Sequence, residues 1–238
     1  MWLKSALSTP KSRSQNQQKL CTLEAMETWF TADLHLGHGN IIKYCNRPFM
    51  TKEETARALT DPRGNWQISK ETLEYHDTSI LETLNANVKT TDHLWILGDF
   101  CLRDPKKAAA YRGRIRCQNV HLVWGNHDPR NLEPLFSSVL EQGMLNINGQ
   151  AIWLNHYPMR SWNGSFHGAW QLYGHVHGRL QAEDAQKPYL LTRDVGVDAS
   201  EYRPVSFSEL KTWMLPRVRA FEERKAQFIA GEVVEFVE

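Results

Sequence analysis

Short apolar runs and longer amphipathic stretches alternate along the first part of this chain. Trp29-Phe30-Thr31-Ala32, Leu94-Trp95-Ile96-Leu97 and Val120-His121-Leu122-Val123-Trp124 have the length and content of strands covered on both faces. Between the first two, Leu73, Ile80, Leu81, Leu84 and Val88 recur at helical spacing, which predicts an amphipathic helix over 70–87. Thr51-Lys52-Glu53-Glu54 has the capping-box pattern and predicts a shorter helix to about Leu59, followed by a turn at Asp61-Pro62-Arg63-Gly64. Asp104 followed by Pro105 reads as an N-cap with proline at the first helical position, opening a helix that stops near Gly113. Asp128-Pro129 predicts one more helix start. An order of strand, helix, strand, helix, strand argues for a largely parallel sheet covered by helices.

After Val139 the pattern changes. Leu145-Asn146-Ile147 and Ala151-Ile152-Trp153-Leu154 flank Asn148-Gly149, a strong hairpin signal. Further strands are expected at 169–173 and 190–197, and Ser206-Phe207-Ser208-Glu209 is a second capping box that should open a helix. Pro216 should break or kink that helix, and Val233-Val234-Glu235-Phe236-Val237 reads as an edge strand or a partner contact. No repeat or linker divides the chain. The expectation is a single α/β domain over 26–238, with two sheets or one bent sheet and a C-terminal helical extension. Residues 1–25, basic and rich in Ser, Gln and Asn, read as a disordered tail, with Met26 as an alternative start.

Composition narrows the class without naming a chemistry. With 238 residues, 41% hydrophobic and 23% charged, the chain is long enough for a substantial core. A net charge of +1 gives no overall pull towards nucleic acid or membrane, and no apolar run reaches the roughly 18 residues of a membrane span. Cys21, Cys45, Cys101 and Cys117 form no C-x-x-C pair and read as reduced thiols of a cytoplasmic protein.

The chemistry lies where the apolar runs end. Asp33-Leu34-His35 follows the first run, Gly98-Asp99 the second, and Gly125-Asn126-His127-Asp128 the third. His156 follows Ile152-Trp153-Leu154, and Gly174-His175-Val176-His177 follows the strand expected at 169–173. Strand ends that deliver Asp, Asn and His to one edge of a sheet are a way to build a metal site. Each motif alone is common, and their joint occurrence in this order is what carries weight.

Taken together, these motifs resemble the five signature motifs of the calcineurin-like metallophosphoesterase family. The resemblance extends from about Met26 to Leu210 and sharpens towards a small bacterial and phage-type branch. It rests there on Phe30 to Ile42, on Arg47-Pro48-Phe49, and on Val195-Gly196-Val197-Asp198 with Tyr202-Arg203-Pro204-Val205. It implies a four-layer α/β/β/α sandwich with a dinuclear metal site at the C-terminal ends of the strands. One divalent ion would be held by Asp33, His35 and His177, the other by Asn126, His156 and His175, with Asp99 bridging. Mn²⁺ is favoured over Fe, Ni, Zn or Mg. His127 would assist the leaving group. Asp128 either orients His127 or caps the next helix. His38 and Arg47 are candidates to touch substrate phosphate, with a pairing of Arg47 to Asp198 as the alternative. His76, His93, His121 and His167 read as structural.

The implied activity is hydrolysis of a phosphomonoester or phosphodiester by metal-bridged hydroxide. A nucleotide or other small phosphoester is the favoured substrate, and nucleic-acid end processing comes second. A non-catalytic metal-binding scaffold is the rival from another class. Residues 51–68 are longer than the compact connection expected in that branch.

Overall fold

A computed structural model describes residues 26–233; the tail over 1–25 and nearly all of the stretch expected as a last strand lie outside the described residues. The first half runs β1 (Thr28–Thr31), α1 (Gly39–Tyr44), α2 (Lys52–Thr60), α3 (Lys70–Asn87), β2 (His93–Leu97), α4 (Pro105–Arg114), β3 (Asn119–Val123) and β4 (Ser138–Leu140). The second half runs β5 (Gly143–Ile147), β6 (Gln150–Leu154), β7 (Trp170–Tyr173), α5 (Gln181–Gln186), β8 (Thr192–Asp194), β9 (Val205–Ser206) and α6 (Phe207–Ile229). The five-stranded sheet has the order β4-β3-β2-β1-β9, parallel except for β9. The four-stranded sheet has the order β5-β6-β7-β8. Its β5–β6 hairpin turns at Asn148 (φ +51°) and Gly149 (φ +87°), the two left-handed residues that a type I′ turn requires.

The apolar runs are continuous because the first sheet is buried on both faces. Phe30, Trp95, Leu97 and Val123 point to one side, where they join Ile152, Leu154, Trp170 and Leu172 of the second sheet and Leu210, Met214 and Phe221 of α6. Leu94, Ile96, Val120 and Leu122 point to the other, against Ile80, Leu81 and Leu84 of α3 and Ala108 of α4. Each such burial stabilises by about 1.5–3 kcal/mol, so the strand ends that carry the motifs project from the best-held part of the fold.

Two local expectations are corrected. Asp128-Pro129 opens no helix; the stretch that follows holds only a 3₁₀ turn at Glu133–Leu135. The Asp128 carboxylate that would cap a helix is taken by other amides, and Asn131 sits at φ +79°, outside helical geometry. Pro216 does not break α6, which runs on for 23 residues. Pro216 and Thr212, whose carbonyl loses its helical donor, are both exposed, and burial of Met214 before and Phe221 after the proline holds both halves.

The long connection over 51–68 is a built element. Both arms of the Thr51–Glu54 capping box form, and the same Glu54 carboxylate also receives Ser69 N–H at 2.8 Å and Thr72 Oγ1–H at 2.7 Å. Lys43 of α1 donates Nζ to the carbonyls of Gly64 and Trp66 at 3.1 and 2.7 Å.

Candidate metal centre

Backbone conformation marks the site before any side chain is considered. Asp33, His35, Asp99, His175 and His177 all have φ between +51° and +71°. Such angles are uncommon outside glycine and cost energy unless the surroundings impose them, and such residues cluster at functional sites. Close approach adds its own demand: a Cβ at Gly174 would lie 2.6 Å from Asp33 Oδ2, so only glycine lets β7 end against that carboxylate.

The side chains form two groups, each with ligand atoms within 4.8 Å of one another: Asp33, His35 and His177, and Asp99, His156 and His175. Asp99 Oδ2 lies 3.4 Å from His35 Nε2 and 3.5 Å from His156 Nε2, which places one carboxylate between the groups. Asn126 Oδ1 lies 3.1 Å from His156 Nε2. His156 donates Nδ1–H to the Leu97 carbonyl at 2.8 Å, and His177 donates Nδ1–H to Asp198 Oδ2 at 2.7 Å. In both rings this leaves Nε2 as the nitrogen that would coordinate once any proton on it is displaced, the usual arrangement of a metal-bound histidine. Cys45 also approaches His177 and Asp198, but the His177–Asp198 hydrogen bond makes that trio a brace.

Charge is out of balance in a way that suits cations. Burial, above all else, pushes the Asp33 carboxyl up to about 7. Burial likewise holds the His35 imidazole well below its ordinary value, and its buried Nε2 has no hydrogen-bond partner, because Asp99 Oδ2 at 3.4 Å is poorly directed. Burial would raise Asp99 too, but the hydrogen bond and charge of His156 and the N–H of His127 hold it below the usual carboxylate range. Burial opposes charge on His177, yet Asp198, Cys45 and Asp33 together raise it to about 10. An orphaned buried imidazole nitrogen and two buried carboxylates among nitrogen donors fit a pair of divalent ions.

A family model for calcineurin-like phosphoesterases matches residues 26–216. The chain belongs to the calcineurin-like phosphoesterase family. Within similar sequences, an uncharacterized protein of Methanocaldococcus jannaschii is 30% identical over 181 residues, 75% of this chain and 85% of that one. The gene 66 protein of Mycobacterium phage L5 is 30% identical over 103 residues, 42% of this chain and 39% of the phage protein. A solved structure of a protein of unknown function from Aquifex aeolicus shares the fold, with a TM-score of 0.56 at 21% identity, covering 79% of this chain and 99% of that one.

The structure gathers all seven expected ligands of this family member, but two neighbours stand elsewhere. Asp128 neither orients His127 nor caps a helix. Its carboxylate accepts N–H groups of Asp99, Gly125 and Phe100 at 2.9, 2.9 and 2.8 Å and clamps two motif loops together. Arg47 is fully buried and pairs with Asp198, so it does not reach out to substrate. His38 does stand at the centre, its ring 5.2 Å from that of His35 and 5.4 Å from that of His127, with burial and His127 lowering it to about 4. Tyr157, for which the sequence carries no motif signal, is 43% exposed and packs its ring 4.9 Å from His156 and 4.6 Å from His175. No helix among the described residues is long and apolar enough to cross a membrane.

Proposed function

We propose that this protein is a dinuclear metal-dependent phosphoesterase acting on a small phosphomonoester or phosphodiester such as a nucleotide. The observation that carries this reading is the placement of Asp99 between two groups of ligand-type side chains at one edge of the fold. Asp33, His35 and His177 would hold one ion and Asn126, His156 and His175 the other, with Asp99 shared. Bound divalent ions supply Lewis acidity and an acidified water near neutral pH.

The chain's own contribution is orientation and proton delivery. The His127 N–H is fixed to Asp99 Oδ1 at 2.8 Å, so its position is set by the shared carboxylate. Its ring lies 5.2 Å from that of His35 and only partly buried, suited to stabilising an equatorial phosphoryl oxygen or protonating the departing one. His38, kept neutral by burial, can donate a hydrogen bond to substrate phosphate without adding charge. With Asn126 exposed and His175 half-buried, the second group is the side from which substrate would arrive.

The test is hydrolysis of a chromogenic phosphodiester and its monoester by metal-stripped protein, re-supplied in turn with Mn²⁺, Ni²⁺, Zn²⁺ and Mg²⁺. Turnover restored by metal, highest with Mn²⁺, is expected. Two bound equivalents without turnover on either ester, or on a short oligonucleotide, would favour a scaffold instead.

A further inference from the structure

Arg47 heads the largest fully buried side chains among the described residues. A buried guanidinium persists only where its charge is balanced and its donors are used. Here Nε and Nη2 grip both oxygens of Asp198 at 2.9 and 2.7 Å. Nη2 also donates to the Asp33 carbonyl at 2.8 Å, and Nη1 donates to the Leu34 carbonyl at 3.2 Å and to His76 Nε2 at 2.8 Å. Arginine cannot accept, so His76 Nε2 is the acceptor and its Nδ1–H donates to Asp77 Oδ1 at 2.8 Å. The other Asp77 oxygen takes the Gly37 N–H at 3.0 Å and the Tyr111 hydroxyl at 2.6 Å.

This chain of contacts ends on one ligand group. Asp198 fixes the tautomer and ring plane of His177, Arg47 fixes Asp198, and its carbonyl contacts fix the left-handed turn that carries Asp33. Gly37, two residues beyond His35, is held from the Asp77 end. None of these hydrogen bonds ends on Asp99, Asn126, His156 or His175: Asp99 is held by the His127 amide and by Asp128, His156 by the Leu97 carbonyl, and the His175 N–H meets the first group only at the Asp33 carboxylate.

We propose that Arg47, acting through Asp198, is a positioning residue that sets the affinity of one ion site of the pair and leaves the other unchanged. This rests on the dinuclear reading above. A bidentate fork cannot be replaced by the point charge of lysine, and groups that orient a metal-binding histidine change affinity by about 10–100-fold when altered.

Metal-stripped wild type, Arg47→Lys and Asp198→Asn would be titrated with Mn²⁺, free ion being followed by electron paramagnetic resonance, and with Co²⁺ by absorption, with no substrate present. Circular dichroism would establish that each variant is folded. Wild type should take two ions. Each variant should keep one at wild-type affinity and bind the second about 10–100-fold more weakly. Two ions at unchanged affinity, or both weakened alike, would overturn the proposal. Fewer than two ions in wild type would instead sink the dinuclear reading on which it rests. Should Arg47→Lys fail to fold, the near-isosteric Asp198→Asn, which keeps an acceptor for His177, decides the matter alone.

Discussion

Asp33, His35 and His177 are seated in a buried web of side chains, whereas of Asn126, His156 and His175 only His156 is buried, and the His175 N–H leans on the Asp33 carboxylate. His177 depends on Asp198, which depends in turn on Arg47. His156 Nδ1–H is held by the Leu97 carbonyl, Asn126 is exposed, and His175 lies under the open ring of Tyr157. The difference is one of division of labour within a single site. The first group is the more strongly perturbed in charge, with Asp33 and His177 both raised. On the proposed reading the second keeps the solvent-facing side where a phosphoester would exchange, and Asp99 lies between the two.

Altering Asp99 should have the largest effect. Asp99→Asn keeps the shape but halves the ligand capacity between the groups. Turnover should fall below detection and both ions should weaken in a metal titration. An active mutant with two tight ions would refute the shared role of Asp99. His127→Ala should come next, with turnover down about 10²–10⁴-fold, the range for loss of a general acid or base. Both ions should stay, since its side chain belongs to neither group. Loss of an ion, measured by elemental analysis of the purified variant, would show that His127 is a ligand.

Acidification should separate the two groups. In the first, Asp33 holds a proton up to about 7 and His177 up to about 10, so an ion must displace protons from both. In the second, His156 is raised while Asp99 and His175 are lowered. The sign follows: below pH 7 each unit of acidification costs the first ion at least ~10-fold in affinity, the mass-action cost of one bound proton. Calorimetric titrations at pH 7.5 and 5.5 should show one of two binding steps weakening well ahead of the other. Parallel weakening would remove the electrostatic contrast.

Much of this was legible in the chain because the relevant signals are local. Apolar runs ending in Asp, Asn or His marked the seven candidate ligands that the structure brings together, and both capping boxes and the Asn148-Gly149 turn formed where expected. What sequence pattern left open depends on partners far along the chain. Asp128 looked like a helix cap, yet its amide partners at Asp99 and Phe100 belong to the end of another strand. Arg47 had two open roles, and the choice rested on Asp198, 151 residues away. Pro216 carries a local penalty that tertiary burial outweighed. Tyr157 follows a ligand directly but carries no motif of its own, and only its exposure beside two imidazoles draws it into the site.

Tyr157 gives the smallest and most specific way to probe the open side. Its ring meets both His156 and His175 edge-on and is 43% exposed, so a flat leaving group entering over the second ligand group would meet it. Such contacts are worth about 0.5–1.5 kcal/mol. Tyr157→Ala should therefore raise KM about 3–10-fold for aryl or nucleoside phosphoesters and leave kcat and both ions nearly unchanged. Alkyl phosphoesters, which offer no flat face, should lose less. A change in kcat with constant KM, or equal loss for alkyl and aryl esters, would mean that Tyr157 serves only to pack the two histidines.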